Sequence, residues 1–159
     1  MHTSRILSKP IGALAAFGTA LLMTLPVSAA PTKPQAPAVS ENPQATKLYE
    51  AGKKEVDKDL FPAALKRFEA ADSLDPDNPD ILNMLAYSQR KTGDLDSAIK
   101  NYHRALELRS DFPEAREYLG EAYIQAALRE IATLAGYGKD GEHEHEELVE
   151  ALKEAADQF

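Results

Sequence analysis

The sequence predicts an all-α chain of paired antiparallel helices stacked into a solenoid, and three observations carry that expectation. Apolar residues recur at helical spacing from residue 44 onward. Residue types repeat without a gap at an interval of 34. Gly, at 8 residues in 159, is too scarce for the many tight turns of a sheet-rich fold. A period of this length, helical inside each unit, is the signature of a stacked repeat.

Residues 1–29 read as an export leader and not as part of that fold. Arg5 and Lys9 form a short basic start, residues 11–25 carry no charge, and Val27, Ser28 and Ala29 offer small side chains to a signal peptidase. A membrane anchor is the competing reading. The apolar run is about 15 residues, short of the roughly 20 that span a bilayer, and Pro26 breaks the helix an anchor would continue. Cleavage is expected between Ala29 and Ala30, since a cut one residue later would leave Pro31 at the new N-terminus. With no twin Arg, export in the unfolded state is expected, to the periplasm or out of the cell.

Residues 30–43 hold Pro31, Pro34, Pro37 and Pro43 among small and polar residues. Such a stretch cannot bury a core and reads as an extended tether. Pro34 and Pro37 fit the loose P-x-x-P docking pattern, but a spacer accounts for them without a partner.

The repeat occupies the rest, residues 44–159. Leu48 recurs as Leu82, Ala64 as Ala98, Phe68 as Tyr102 and Ala71 as Ala105. Ala51 and Gly52 recur as Leu85 and Ala86 and again as Leu119 and Gly120, and Pro79 and Asp80 recur as Pro113 and Glu114. Gly52, Ala86 and Gly120 are read as the small residues at which the two helices of a pair cross. Ala64 and Ala98 face them from the second helix, and Phe68 and Tyr102, four residues on, fill the space between units. Gly93 is placed as a left-handed helix stop and Asp94 as the next N-cap, while Asp75, Pro76 and Pro113 mark turns between units. Six helices are expected, at about 44–58, 61–74, 78–91, 95–108, 113–135 and 143–157. The fifth is long because no turn signal follows Tyr123 before Gly136. Gly136, Gly138 and Gly141 then make a loop, and the sixth helix sets Leu148, Ala151, Leu152, Ala155 and Phe159 on one face, a cap for the apolar end of the stack.

These residues resemble the tetratricopeptide repeat (TPR). Residues 82–106, LNMLAYSQRKTGDLDSAIKNYHRAL, carry the closest match, residues 48–76 a second, and residues 114–123 the first helix of a third. The likeness covers about residues 44–125 and extends, more loosely, to small exported TPR proteins of Gram-negative bacteria. It has departures. Leu48, Leu82 and Arg116 stand where the family often has Trp, Glu55 and Gln89 replace an aromatic that Tyr123 retains, and Ser110 replaces a Pro.

Composition narrows the function. Against 26 acidic residues stand 18 basic ones, a net charge of −8, and loss of Arg5 and Lys9 with the leader takes it to −10. That balance lacks the basic stripe of a nucleic-acid binder and disfavours an anionic membrane surface. Without Cys there is no disulfide, thiolate metal site, Cys nucleophile or Cys-linked lipid. Packing alone must hold the fold.

No catalytic set converges. His103 sits by a packing face without a nucleophile, Ser73, Ser88, Ser97 and Ser110 lie outside any nucleophile elbow, and the Gly residues form no phosphate loop, so no enzyme and no cofactor are expected. His143 and His145 invite a metal reading. Two apart on a helix they point about 200° from each other, and His143 with Glu147 supplies two ligands where zinc sites use three or four. A solvated acidic helix start explains the same residues.

The resemblance implies a concave wall built by the first helix of each pair, with peptides or extended protein segments as ligands. Carried over, that wall holds Tyr49, Lys53, Val56 and Asp57, then Asn83, Tyr87, Arg90 and Lys91, then Glu117, Glu121, Ile124 and Gln125. Helical spacing independently sets each group of four on one stripe, though ordinary solvated positions would look the same. Lys53, Arg90 and Lys91 make a basic patch, Glu117 and Glu121 an acidic one, and Tyr49 and Tyr87 are the aromatic contacts. The carboxylate clamp of the family's chaperone adaptors is absent, because Tyr49, Met84 and Tyr118 stand at three of its positions. A non-enzymatic protein-binding scaffold of the cell envelope is the function expected. A self-associating module, dimerising through the apolar end with the groove idle, is the other class.

Overall fold

A computed structural model describes residues 40–158. The expected leader and nearly all of the expected tether lie outside the described residues. Six helices follow in order: α1 (Pro43–Val56), α2 (Phe61–Asp72), α3 (Pro79–Thr92), α4 (Leu95–Leu108), α5 (Pro113–Gly136) and, after a 3₁₀ turn at Gly138–Gly141, α6 (Glu142–Ala156). Among the described residues there is no strand. α1 packs on α2 and α3 on α4 as pairs, α2 packs on α3 and α4 on α5 between pairs, and α1, α3 and α5 stand side by side as one wall.

Local chemistry sets the ends. Pro43, Pro79 and Pro113 each open a helix, where the missing N–H has no intrahelical role. Pro43 therefore belongs to α1 and not to the tether. Asn42 and Asn78 cap their helices, their side chains accepting from the N–H groups of Gln44 and Ala45 and of Asp80 and Ile81. Asp94 accepts from the Ser97 N–H at 3.2 Å. The turn within each pair is the same turn twice. Leu60 N–H donates to Glu55 O and, 34 residues on, Asp94 N–H donates to Gln89 O, both at 2.9 Å. Gly93 takes the left-handed conformation there, φ 93°, and Asp59 takes it in the first unit, φ 57°. Gly does so without strain, and Asp tolerates it better than most residues.

The core is where the period places it. Ala64, Ala98, Phe68, Tyr102, Ala71 and Ala105 are all fully buried. Phe68 packs with Ala64 and Leu85, bridging the first unit to the second, and Tyr102 with Ala86, Ala98, Leu119 and Ala122, bridging the second to the third.

The third unit differs. α5 runs for 24 residues, about 36 Å at 1.5 Å per residue, and no second helix folds back along it as α2 and α4 do in their pairs. Gly120 is consequently exposed, with nothing near its Cβ position. It marks no helix crossing, contrary to the expectation from its place in the repeat. The glycine loop is a 3₁₀ turn in which Gly141 is buried so close to Leu134 O that a Cβ would lie 2.7 Å from it. α6 packs on α5 and on no other helix. Its inward stripe is His145, Leu148, Val149 and Leu152, all partly buried, whereas Ala151 and Ala155 are exposed and Phe159 lies outside the described residues. The expected face is thus rotated by about a sixth of a turn. Tyr123, Ile124, Leu128 and Tyr137 stay exposed beyond its cover.

Candidate protein-interaction groove

The wall of α1, α3 and α5 sets the expected site residues in rows 34 apart. Tyr49, Asn83 and Glu117 share one row, Lys53, Tyr87 and Glu121 the next, Val56, Arg90 and Ile124 a third, and Asp57, Lys91 and Gln125 a fourth. Each row crosses three helices, so neighbours along it come from different units.

The middle unit brings most of them together. Arg90 is 5 % exposed, and its guanidinium bonds the Glu121 carboxylate at 2.6 Å. It lies over the Tyr87 ring at 5.3 Å and the Tyr118 ring at 5.7 Å. Arg90 and Glu121, expected on opposite patches, are one ion pair, so Arg90 is a structural tie between α3 and α5 and not a free cation for a ligand. The reason is reach: an Arg side chain spans the gap between adjacent first helices and finds an acid one row back. Asn83 is 2 % exposed, and its Oδ1 has no hydrogen-bond partner. Tyr49 also serves the core, packing edge-on to Phe68 at 5.8 Å, and burial followed by the charges of Asp80 and Glu114 pushes its phenol well above the usual range.

The exposed members are Lys53, Asp57, Lys91, Glu117 and Ile124, with Tyr87 and Gln125 half-buried. Lys53 lies over the Tyr49 ring and pairs with Glu50 at 3.7 Å. Lys91 lies over both Tyr87 and Phe61. Lys53 and Lys91 alone therefore remain of the expected basic patch.

Several residues of this wall escape a first-helix reading. Phe61, from the start of α2, stacks edge-on to Tyr87 at 6.0 Å, and Tyr118 lies 5.0 Å from Tyr87 on the other side. Burial, then Glu114 by its charge and its hydrogen bond, pushes the Tyr118 phenol up to about 12. Arg109, between α4 and α5, pairs with Asp80 and lies over Phe112 at 3.9 Å. Tyr118 falls in register with Glu50 and Met84, a signal the sequence holds. Phe61 opens α2 and Arg109 caps α4, so neither belongs to the first-helix stripes that the spacing identifies.

Elsewhere, His143 Nε2 lies 3.4 Å from Glu147 on an exposed face, and His145 is half-buried. Among the described residues no three His, Asp or Glu side chains converge as a metal would need. His103 bonds the Tyr123 hydroxyl at 2.6 Å, both side chains exposed. Among the described residues no helix is long and apolar enough to cross a membrane.

Paired antiparallel helices, a 34-residue register and a wall of first helices define an α-helical repeat protein. A family model described as Tetratricopeptide repeat matches residues 49–99, and one described as TPR repeat matches residues 86–126. Residues 49–126 therefore carry tetratricopeptide repeats. The matched stretch ends at 126, within α5, where the helix departs from the pair pattern. No curated protein matches the chain. Tetratricopeptide repeats generally mediate protein–protein interactions and are typically scaffolds without catalysis.

Proposed function

We propose that this protein is a non-enzymatic interaction scaffold of the cell envelope that holds an extended segment of a partner protein against the α1–α3–α5 wall. The observation that carries this is the half-open aromatic row Phe61, Tyr87 and Tyr118, with Lys91 above it, at the centre of the wall. Aromatic anchors at the centre of an interface, flanked by neighbours that exclude water, supply most of its energy. The envelope assignment rests on the leader pattern of residues 1–29.

The test is a partner captured by the mature chain from envelope extract, followed by affinity measurements. Tyr87→Ala should weaken that partner at least about tenfold, the scale of a central anchor, while Lys100→Ala on exposed α4 leaves it unchanged. Equal affinity for both variants would move the site off the wall. The self-association reading has its own support in the exposed Tyr123, Ile124, Leu128 and Tyr137, and light scattering across concentration distinguishes it. A concentration-dependent dimer that is lost with Leu128→Glu would favour it.

A further inference from the structure

Three cations of the wall are committed to carboxylates within it, while two further carboxylates carry no ion pair. Arg90 is held by Glu121 and Lys53 by Glu50. Arg109, the cation whose charge reaches Tyr49, is held by Asp80. At the N-terminal end of α5, Glu114 and Glu117 form no ion pair among the described residues, and Glu117 is exposed. Their charge is felt across the wall. Glu114 acts on both Tyr49 of α1 and Tyr118 of α5, with Glu117 adding at Tyr118. Between Tyr49 and Glu117 in the same row lies Asn83, almost fully buried and with its Oδ1 lacking a donor. A buried acceptor without a donor is destabilising, and a hydrogen offered by a ligand would satisfy it. The terminal torsion of Asn is soft, so a small rotation offers the amide to such a donor.

We propose that the groove selects a basic extended peptide, with a Lys or Arg side chain lying along Tyr118 against Glu114 and Glu117, and a main-chain N–H directed to Asn83. This rests on the groove reading given above and adds the charge of the ligand. The logic is one of surplus. A peptide carboxylate would have to compete with Glu121 or Asp80 for a guanidinium already bonded, whereas a cation meets carboxylates that carry no ion pair and the face of an aromatic ring. The remaining exposed cation, Lys91, belongs to another row beside Phe61 and Tyr87 and turns acidic residues of the same peptide toward that side.

Fluorescence anisotropy on the full chain tests this with labelled peptides of about ten residues, alternating Lys-Ala, Ser-Ala or Glu-Ala. The Lys-Ala peptide should bind at least about tenfold tighter than the other two, and Glu114→Gln with Glu117→Gln should weaken it at least about fivefold. Glu146→Gln with Glu150→Gln removes the same charge from exposed α6 and should leave it unchanged, which separates a built site from general acidity. Asn83→Leu should weaken all three peptides alike if it melts with the parent. Equal binding of the three peptides, each weakened by Tyr87→Ala, overturns the basic preference and leaves the groove standing. Lys-Ala binding that responds to the α6 pair and not to Tyr87 or to the Glu114 and Glu117 pair overturns the preference and removes these peptides from the groove. No binding of the Lys-Ala peptide also overturns the preference, and the partner experiment then decides the groove by itself.

Discussion

At Gly52, α1 passes so near α2 that a methyl group would meet the Phe68 ring at 2.7 Å, whereas at Gly120, two periods later, nothing lies within 4 Å. The two glycines share a register position and differ in having a partner. In the first two units the chain turns at Asp59 and Gly93, and the second helix returns to be crossed. In the third it does not turn, and α5 continues past the point where a pair would close. A small residue in a repeat is therefore a provision for a close crossing, and becomes a constraint only where the second helix arrives. The third unit retains the provision and exposes Tyr123, Ile124 and Leu128 beside it.

The contrast is sharpest at Ala98, which is fully buried among Ala86, Tyr102, Leu119 and Ala122. Ala98→Leu adds three carbons where two helices and the next unit meet, and overpacking of this kind costs about 1–3 kcal/mol. Thermal or urea melts of the variant should fall accordingly. A melt indistinguishable from the parent would mean that the crossing is loose and that the two well-paired units are no tighter than the third.

A smaller effect, and opposite signs, are expected from the two glycines themselves. Gly→Ala in a helix interior gains about 0.5–1 kcal/mol from the unfolded chain's lost freedom. Gly120→Ala should show that gain in full. At Gly52 the new methyl must displace a rigid, fully buried ring that Tyr49 already backs, so Gly52→Ala should be destabilising by about 1 kcal/mol net. Stabilisation by both substitutions would show that α1 and α2 do not meet closely at Gly52.

Much of this fold is legible in the sequence because a 34-residue register ties many positions to each other at once. Ala64 with Ala98 and Phe68 with Tyr102 are each one observation made twice, and their burial follows from period and size. Helix ends are legible where the chemistry is local, as at Gly93, Asp94 and Pro113. α6 is legible as a helix but not in its rotation, because no second copy fixes which of Leu148, Val149, Ala151 and Leu152 faces in. The groove is legible as a set of rows but not in its charge. Whether Arg90 serves a ligand or Glu121 depends on the distance between α3 and α5, which no spacing within one helix encodes. Phe61 and Arg109 reach the wall from the start of α2 and the end of α4, outside the first-helix stripes that the spacing identifies.

The last comparison sets Phe68 beside its counterpart Tyr102, two fully buried rings at one register position that differ by a hydroxyl. In the second unit that hydroxyl lies in the interior beside Arg90, and burial pushes its ionisation well above the ordinary range while the guanidinium partly offsets the rise. At neutral pH the phenol is protonated both folded and unfolded, so Tyr102→Phe should change stability by no more than about 1 kcal/mol. Alkali breaks that equality. An unfolded Tyr ionises near pH 10, and a folded one held above that value keeps its proton, so the unfolded state gains from each further rise in pH. The stability tied to Tyr102 is present below about pH 10 and is lost as the pH climbs toward the folded value. The Phe variant has no such loss, while Tyr49 and Tyr118, also raised, titrate in both proteins and cancel in the comparison. Urea midpoints should thus nearly coincide at neutral pH and separate in favour of Tyr102→Phe above about pH 10.5. Midpoints that stay parallel across that range would mean that the hydroxyl reaches water, and that the second unit is packed less tightly around its ring than the first is around Phe68.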